Sequence, residues 1–231
     1  MGDNPDIKKD FLRLKANFNN TLLMSIKISR RLSMKKDQYR ELINSLSDKE
    51  LSFHLFLTQL LLLAVAFILG IFLFDGFEEF LELMRWNDPL TWQVGAMAGV
   101  AVVIADLTLM KLLPPSLYDD GGLNQRIFQH KNVYQIAVIT ALVAFSEELL
   151  FRGIIQTHTG LIVSSVIFAL VHYRYLFNWF LFLNIIFLSF VIGFIYMKTG
   201  NLAVTITMHF IIDFLLGLSI SMRNKQEQEG I

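Results

Sequence analysis

Long apolar runs separated by short polar stretches dominate the chain from residue 51 onward. A helix needs about 20 apolar residues to cross the hydrocarbon core of a bilayer. Six runs approach this length, at residues 51–74, 92–113, 134–156, 160–177, 180–196 and 201–219. The first of them contains no Asp, Glu, Lys or Arg. The pattern therefore predicts an all-α protein, a polytopic transmembrane bundle of about six membrane helices embedded in a lipid bilayer.

The first 50 residues have a different character, with 11 Lys and Arg against seven Asp and Glu. The rest of the chain has nine against 13, so the net charge of zero combines a basic tail with a hydrophobic body. The tail could be a solvated segment or an amphipathic segment lying on anionic lipid. A basic tail before the first span and a Lys/Arg-poor loop after it predict a cytoplasmic N-terminus. We expect an integral protein of the plasma membrane.

Charge and hydropathy divide the chain into four parts. Residues 1–50 form the basic, polar tail, and residues 51–133 hold two anchoring membrane helices with their loops. Residues 134–220 form a core of four helices, in which the candidate reactive side chains are concentrated. Residues 221–231 are a short polar C-terminal tail. Nothing in this organisation indicates a nucleic-acid partner.

Two carboxylates and a guanidinium interrupt the third apolar run, at Glu147, Glu148 and Arg152. Charges inside a membrane helix cost on the order of 2.5–3.5 kcal/mol each and are functional candidates by default. Glu148 and Arg152 are four residues apart and can pair on one helix face. Glu147 lies about 100° around the helix and faces other neighbours. This arrangement suits one structural glutamate and one that acts as a general acid or base.

Two further pairs with a spacing of four residues lie in later apolar runs. Phe168 precedes His172, and His209 precedes Asp213. Either histidine alone could be a core residue that is merely hydrogen-bonded. Together with the glutamates, however, these side chains predict one buried reactive site on three helices.

The site could work with or without a metal. Glu147, His172 and His209 match the His₂Glu ligand set of catalytic zinc sites, and the same three could activate a water directly. Zinc or another divalent metal therefore remains an open cofactor. The chain has no Cys, which excludes a cysteine nucleophile and thiolate metal sites. It contains neither a His-Glu-x-x-His zinc helix nor a Gly-x-Ser-x-Gly nucleophile turn.

The motifs Glu147-Glu148-x-x-x-Arg152, Phe168-x-x-x-His172 and His209-x-x-x-Asp213 follow one another in a fixed order. In this the chain resembles the CPBP family of intramembrane proteases, also called the CAAX-protease or Abi family. The resemblance covers roughly residues 134–218. It implies an intramembrane endopeptidase acting on a membrane-associated or lipidated peptide, such as a prenylated CAAX protein.

The resemblance also implies a role for each motif residue. Glu147 and His172 would activate the attacking water, whereas Glu148 and Arg152 would position the site. His209 and the residue at 213 would stabilise the oxyanion or help hold a metal. Many members have Asn where this chain has Asp213, and an ionised Asp cannot donate a hydrogen bond to an oxyanion. Metal binding, a protonated Asp213 and an orienting role toward His209 all fit this departure.

Other readings of the same residues remain open. A non-catalytic binding or bacteriocin-immunity protein could keep this fold, and a proton relay or transporter could use intramembrane Glu and His. The intact motifs argue against the first, and the lack of an internal repeat argues against the second. Asp106, another intramembrane acid, is interpreted as structural or interfacial. Six spans from a cytoplasmic N-terminus would place Glu147 toward the outer face, whereas eukaryotic family members open to the cytosol.

Overall fold

The computed structural model describes residues 37–172, 175 and 178–229, so most of the basic tail lies outside the described residues. This part of the chain contains helices and no strand, which confirms the all-α prediction. Shorter helical segments occur at 37–45, Phe77–Glu82, Pro115–Leu117 and Leu123–Phe128. The longer helices are α1 (Asp48–Leu73), α2 (Thr91–Leu112), α3 (Val133–Glu148, continued by Leu149–Gln156 and Thr157–Thr159), α4 (Leu161–Val171), α5 (Trp179–Thr199) and α6 (Leu202–Glu229).

Among the described residues, four helices are long and apolar enough to cross a membrane, namely α1, α2, α5 and α6. The other two predicted spans differ from expectation. Helix α4 has 11 residues and, at about 1.5 Å per residue, reaches only about half of a roughly 30 Å hydrocarbon core. Helix α3 carries the three charged side chains of the candidate site within its apolar sequence. Helix α6, in contrast, continues to Glu229, through most of the segment predicted as a polar tail.

Polar side chains at the helix starts explain where α1 and α3 begin. The Ser47 hydroxyl accepts a hydrogen bond from the backbone N–H of Glu50, and the Glu50 carboxylate accepts one from the backbone N–H of Ser47. Asn132 and Gln135 make the same reciprocal arrangement before α3. Such capping boxes satisfy N–H groups that the first helical turn leaves without partners. The turn between α3 and α4 is made by Gly160, whose φ of 84° is one that glycine adopts without steric cost.

Helix α6 is the centre of the bundle and packs against α2, α3 and α5. In the most apolar 18-residue stretch of α6, 50% of the residues are buried, compared with 11% in the corresponding stretch of α1. The side chains that α1 leaves exposed include Phe56, Phe67 and Phe72, which suits a helix that faces lipid. His209 on α6 is therefore buried within the bundle, whereas α1 supports the bundle from its edge.

Close backbone contact holds α2 against α6. Gly95 and Gly99 are four residues apart on α2, and both face α6. A Cβ atom added at Gly95 would lie 2.5 Å from the carbonyl oxygen of Val204, and one at Gly99 would lie 2.9 Å from that of Met208. Small residues at this spacing allow membrane helices to approach closely and pack through van der Waals contact. This contact fixes α6 and, with it, the side chains of His209 and Asp213.

Candidate active site

The two adjacent glutamates end the regular α-helical part of α3. The following residues, Leu149–Gln156, are π-helical, a conformation that is rare and often found at functional sites. Adjacent helical residues point about 100° apart. As a result, Glu147 and Glu148 face different neighbours, as the sequence predicted.

Glu148 belongs to a buried chain of alternating charges. Its Oε1 lies 2.9 Å from Nδ1 of His209, and its Oε2 lies 3.5 Å from Nε of Arg152. The other ring nitrogen of His209, Nε2, lies 3.5 Å from Oδ2 of Asp213. Both histidine nitrogens thus face carboxylate oxygens, which accept hydrogen bonds, so a doubly protonated ring satisfies both. Two cations and two carboxylates then offset one another, and the chain is neutral as a whole.

Arg152 is fully enclosed and has few other partners. Its Nη2 donates to the carbonyl and hydroxyl oxygens of Ser189 on α5, at 3.2 and 3.3 Å. Its guanidinium carbon lies 4.8 Å from the centre of the Phe168 ring, at cation–π distance. Nε, Nη1 and the Glu148 Oε2 atom are buried without a hydrogen-bond partner in the structure. Arg152 and Glu148 are therefore held together by charge more than by hydrogen-bond geometry.

Glu147 faces His172 instead. Its Oε2 lies 3.8 Å from Nε2 of His172, and the two side chains are 10% and 17% exposed. Nδ1 of His172 is 2.9 Å from the carbonyl oxygen of Phe168. A carbonyl only accepts, so we assign the proton to Nδ1, which leaves Nε2 of the neutral ring as an acceptor. A carboxylate and an acceptor nitrogen at this distance suit a water molecule that donates to both.

Phe168 connects these two groups. The centre of its ring lies 4.3 Å from that of the His172 ring and 4.9 Å from that of the Phe151 ring. It also lies 4.8 Å from the guanidinium carbon of Arg152. Phe168 is 1% exposed. The His172 ring in turn lies parallel to that of Tyr175, 6.2 Å away. The phenylalanine of the second motif thus supports both the imidazole and the guanidinium of the site.

The three residues considered as zinc ligands do not form a metal site. Among the described residues, no group of three or more His, Cys, Asp or Glu side chains lies close enough together to hold a metal ion. The reason is that both ring nitrogens of His209 are directed at Glu148 and Asp213, and not at Glu147 and His172. The His₂Glu alternative therefore does not fit this arrangement.

Several polar side chains that support the site were not identified from the sequence. Ser189 binds Arg152, and Gln156 donates to the carbonyl of Gly193 at 2.6 Å. Gln59 of α1 accepts a 2.6 Å hydrogen bond from Ser146, the residue before the glutamates. Each of these pairs joins residues at least 37 positions apart, a separation that helical periodicity cannot detect. A polar residue in an apolar run was the available clue.

Fold and site together define an all-helical integral membrane protein with a buried, charge-paired polar centre next to a less completely buried glutamate–histidine pair. A family model described as "Type II CAAX prenyl endopeptidase Rce1-like" matches residues 129–215. These residues include every motif residue of the candidate site. The chain belongs to this Rce1-like family, and the family implies a membrane-embedded protease.

Two curated relatives extend the similarity beyond the core. "Uncharacterized protein YpbD" of Bacillus subtilis (strain 168) is 43% identical over 164 residues, which are 71% of this chain and 87% of the relative. "UPF0177 protein YxdF" of Lactococcus lactis subsp. lactis (strain IL1403) is 30% identical over 149 residues, 61% of this chain and 82% of the relative. No solved structure matches the chain.

Proposed function

We propose that the protein is an intramembrane endopeptidase in which Glu147 and His172 activate a water molecule to hydrolyse a peptide bond of a membrane-associated substrate. The observation that supports this most strongly is the contrast between the two glutamates. Glu148 is 0% exposed and already engaged with His209 and Arg152. Glu147 is buried less completely, with 10% of its side chain exposed, and faces a histidine acceptor at 3.8 Å. Glu147 is therefore the carboxylate able to receive a proton from water.

The steps follow from this geometry. The water oxygen attacks the carbonyl carbon of the peptide bond, and Glu147 takes the proton that the water loses. The carbonyl oxygen becomes an oxyanion, and the positive charge of the doubly protonated His209 ring stabilises it electrostatically, since both ring N–H groups are directed at Glu148 and Asp213. The carbon–nitrogen bond then breaks, and Glu147 returns the proton to the leaving amine. His172 orients the water by accepting a hydrogen bond from its second O–H group at Nε2.

Asp213 and the Glu148–Arg152 pair have positioning roles in this scheme. Oδ2 of Asp213 is 3.5 Å from Nε2 of His209, and in this scheme it holds the imidazole in place. This is one of the three interpretations given above for an Asp at a position where many family members have Asn. Glu148 binds the other ring nitrogen, and Arg152 anchors Glu148 to α5 through Ser189. No step requires a metal. A prenylated CAAX-like protein or peptide is the substrate class that the family implies. We propose a cytoplasmic N-terminus, which the basic tail before the first span supports.

Cleavage assays on the purified full chain in lipid nanodiscs test the proposal. Substrates are a prenylated CAAX peptide and a pool of membrane peptides, with products identified by mass spectrometry. We expect Glu147→Gln and His172→Ala to lower cleavage by about 10²–10⁴-fold, the usual contribution of a general base. Glu82→Gln and His130→Ala change an exposed glutamate and an exposed histidine and serve as matched controls. Undiminished cleavage by Glu147→Gln, or no cleavage of either substrate set by folded wild type, would overturn the proposal.

A further inference from the structure

A cavity of about 450 Å³ lies among α2, α5, α6 and the segment before α3. It adjoins the candidate site, because Asp213 lines it and so does Tyr175, whose ring stacks with that of His172. Leu107, Ile185 and other side chains make most of its lining apolar. Ligand pockets commonly measure roughly 300–1,000 Å³. The cavity is therefore large enough to hold several residues of a peptide next to the reactive groups.

Among the carboxylates that line this cavity, Asp106 of α2 has the fewest partners to offset its negative charge. Asp119 pairs with Arg40 at 2.6 Å, and Asp120 accepts hydrogen bonds from two backbone N–H groups at 2.9 and 3.0 Å. Asp213 belongs to the charge chain around His209. In contrast, no Lys, Arg or His of the described residues lies within ion-pair distance of Asp106.

The neighbour of Asp106 is an amide. Nδ2 of Asn184, on α5, donates to Oδ1 of Asp106 at 3.4 Å, a long hydrogen bond. Both side chains are half-buried and line the cavity. An intramembrane carboxylate without a cation is costly and marks a functional site by default. Arg223 also lines the cavity but makes no ion pair with Asp106, so a positive charge brought in by a ligand would offset this cost.

We propose that Asp106 and Asn184 bind the substrate and select a peptide with a Lys or Arg side chain close to the bond to be cleaved. Asp106 pairs with the basic group, whose aliphatic stem packs along the apolar lining. Asn184 holds the carboxylate in place and has a second N–H and a carbonyl to offer the peptide backbone. The inference rests on the proposed function, because it places the peptide in the cavity next to Asp213.

Binding can be measured without turnover in the Glu147→Gln background. The probes are fluorescent apolar peptides that differ in carrying Lys, Gln or Glu at one scanned position, and the protein is the full chain in phosphatidylcholine nanodiscs. We expect the best Lys peptide to bind about tenfold more tightly than its Gln counterpart, as for one hydrogen bond to a charged group. Adding Asp106→Asn should abolish this preference, and Asp106→Lys should reverse it toward Glu.

The controls separate selection from general damage. Asn184→Ala should weaken the preference for Lys, whereas Glu82→Gln, a neutralised acid outside the cavity, should retain it in full. Asp106→Asn is nearly isosteric, so it decides the matter even where Asp106→Lys does not fold. Equal affinities for the Lys and Gln peptides in the Glu147→Gln protein, or a preference that survives Asp106→Asn, would overturn the inference.

Cleavage of the same peptides distinguishes this inference from the proposed function. If Glu147→Gln abolishes cleavage while Asp106→Asn leaves the Lys preference intact, the peptidase assignment stands and the binding pair does not. If instead Asp106 controls binding but Glu147→Gln cleaves normally, the binding pair stands and the catalytic assignment is wrong.

Discussion

Arg152 offers a sharp test of the charge chain, because its guanidinium is enclosed by the bundle. Its side chain is 1% exposed, and that of Glu148 is 0% exposed. Arg152→Met removes the cation and keeps a long apolar side chain. Removing one partner of a buried ion pair costs about 3–5 kcal/mol. We expect a loss near the lower end, about 3 kcal/mol, since His209 still offsets part of the Glu148 charge.

The balance of charges also predicts the stability of the double variant that combines Arg152→Met with Glu148→Gln. Arg152→Met alone leaves a carboxylate in excess, and Glu148→Gln alone leaves a guanidinium in excess. Combining them removes one charge of each sign and retains His209 opposite Asp213. Replacing both members of a buried pair is often nearly neutral, although removing one is not. The double variant should therefore be more stable than either single variant.

Reversible unfolding in detergent–SDS mixtures, followed by circular dichroism, gives the free energy of unfolding of each variant. The control is Arg40→Met, because the Arg40–Asp119 side chains are 46% and 31% exposed. An exposed ion pair contributes only about 0.2–1 kcal/mol. Equal losses of unfolding free energy for Arg152→Met and Arg40→Met would refute this reasoning. A double variant no more stable than the less stable of the two single variants would also refute it.

Three further outcomes are expected. Gly95→Val should lower the free energy of unfolding by about 1–3 kcal/mol, because its Cβ would meet the Val204 carbonyl, whereas Gly76→Val, with open space around it, should not. Asn201→Ala should cost about 1–3 kcal/mol by leaving buried backbone partners unsatisfied, and Asn224→Ala, which loses one hydrogen bond, should cost less in the same unfolding assay. Cleavage should be unchanged by EDTA, since the described residues offer no metal-binding group; loss of activity that zinc restores would contradict this.

Local spacing is what made two of the side-chain pairings predictable from sequence. Residues four apart on a helix share a face, and the pairs Glu148–Arg152 and His209–Asp213 do meet, each at 3.5 Å. Hydropathy likewise identified α1, α2, α5 and α6, because the free energy of transfer into lipid is a property of each segment alone. Both kinds of signal are contained in a few consecutive turns of helix.

The errors concern properties that depend on distant parts of the chain. Residues 160–177 were predicted as one span because the segment is mostly apolar, but α4 ends at Val171, and mean hydropathy does not register where a helix ends. The π-helical segment after Glu148 has no composition that distinguishes it from an α-helix. The pairing of Glu148 with His209, 61 residues later, requires the packing of α3 against α6. This pairing also directs His209 away from Glu147 and His172, so the His₂Glu set that the sequence left open is not assembled among the described residues.

The adjacency of the two glutamates has a mechanical consequence. Glu148 is fixed by His209 on α6 and, through Arg152, by Ser189 on α5. Glu147 is one peptide unit away, so the same contacts fix its backbone without occupying its carboxylate. A water-activating group needs this combination, because a carboxylate that is rigidly placed but also saturated by hydrogen bonds cannot accept a proton. Because the charges in the chain offset one another, the protein can hold Glu148 rigidly inside the membrane. The less buried Glu147 is left able to accept a proton, as the proposed mechanism requires.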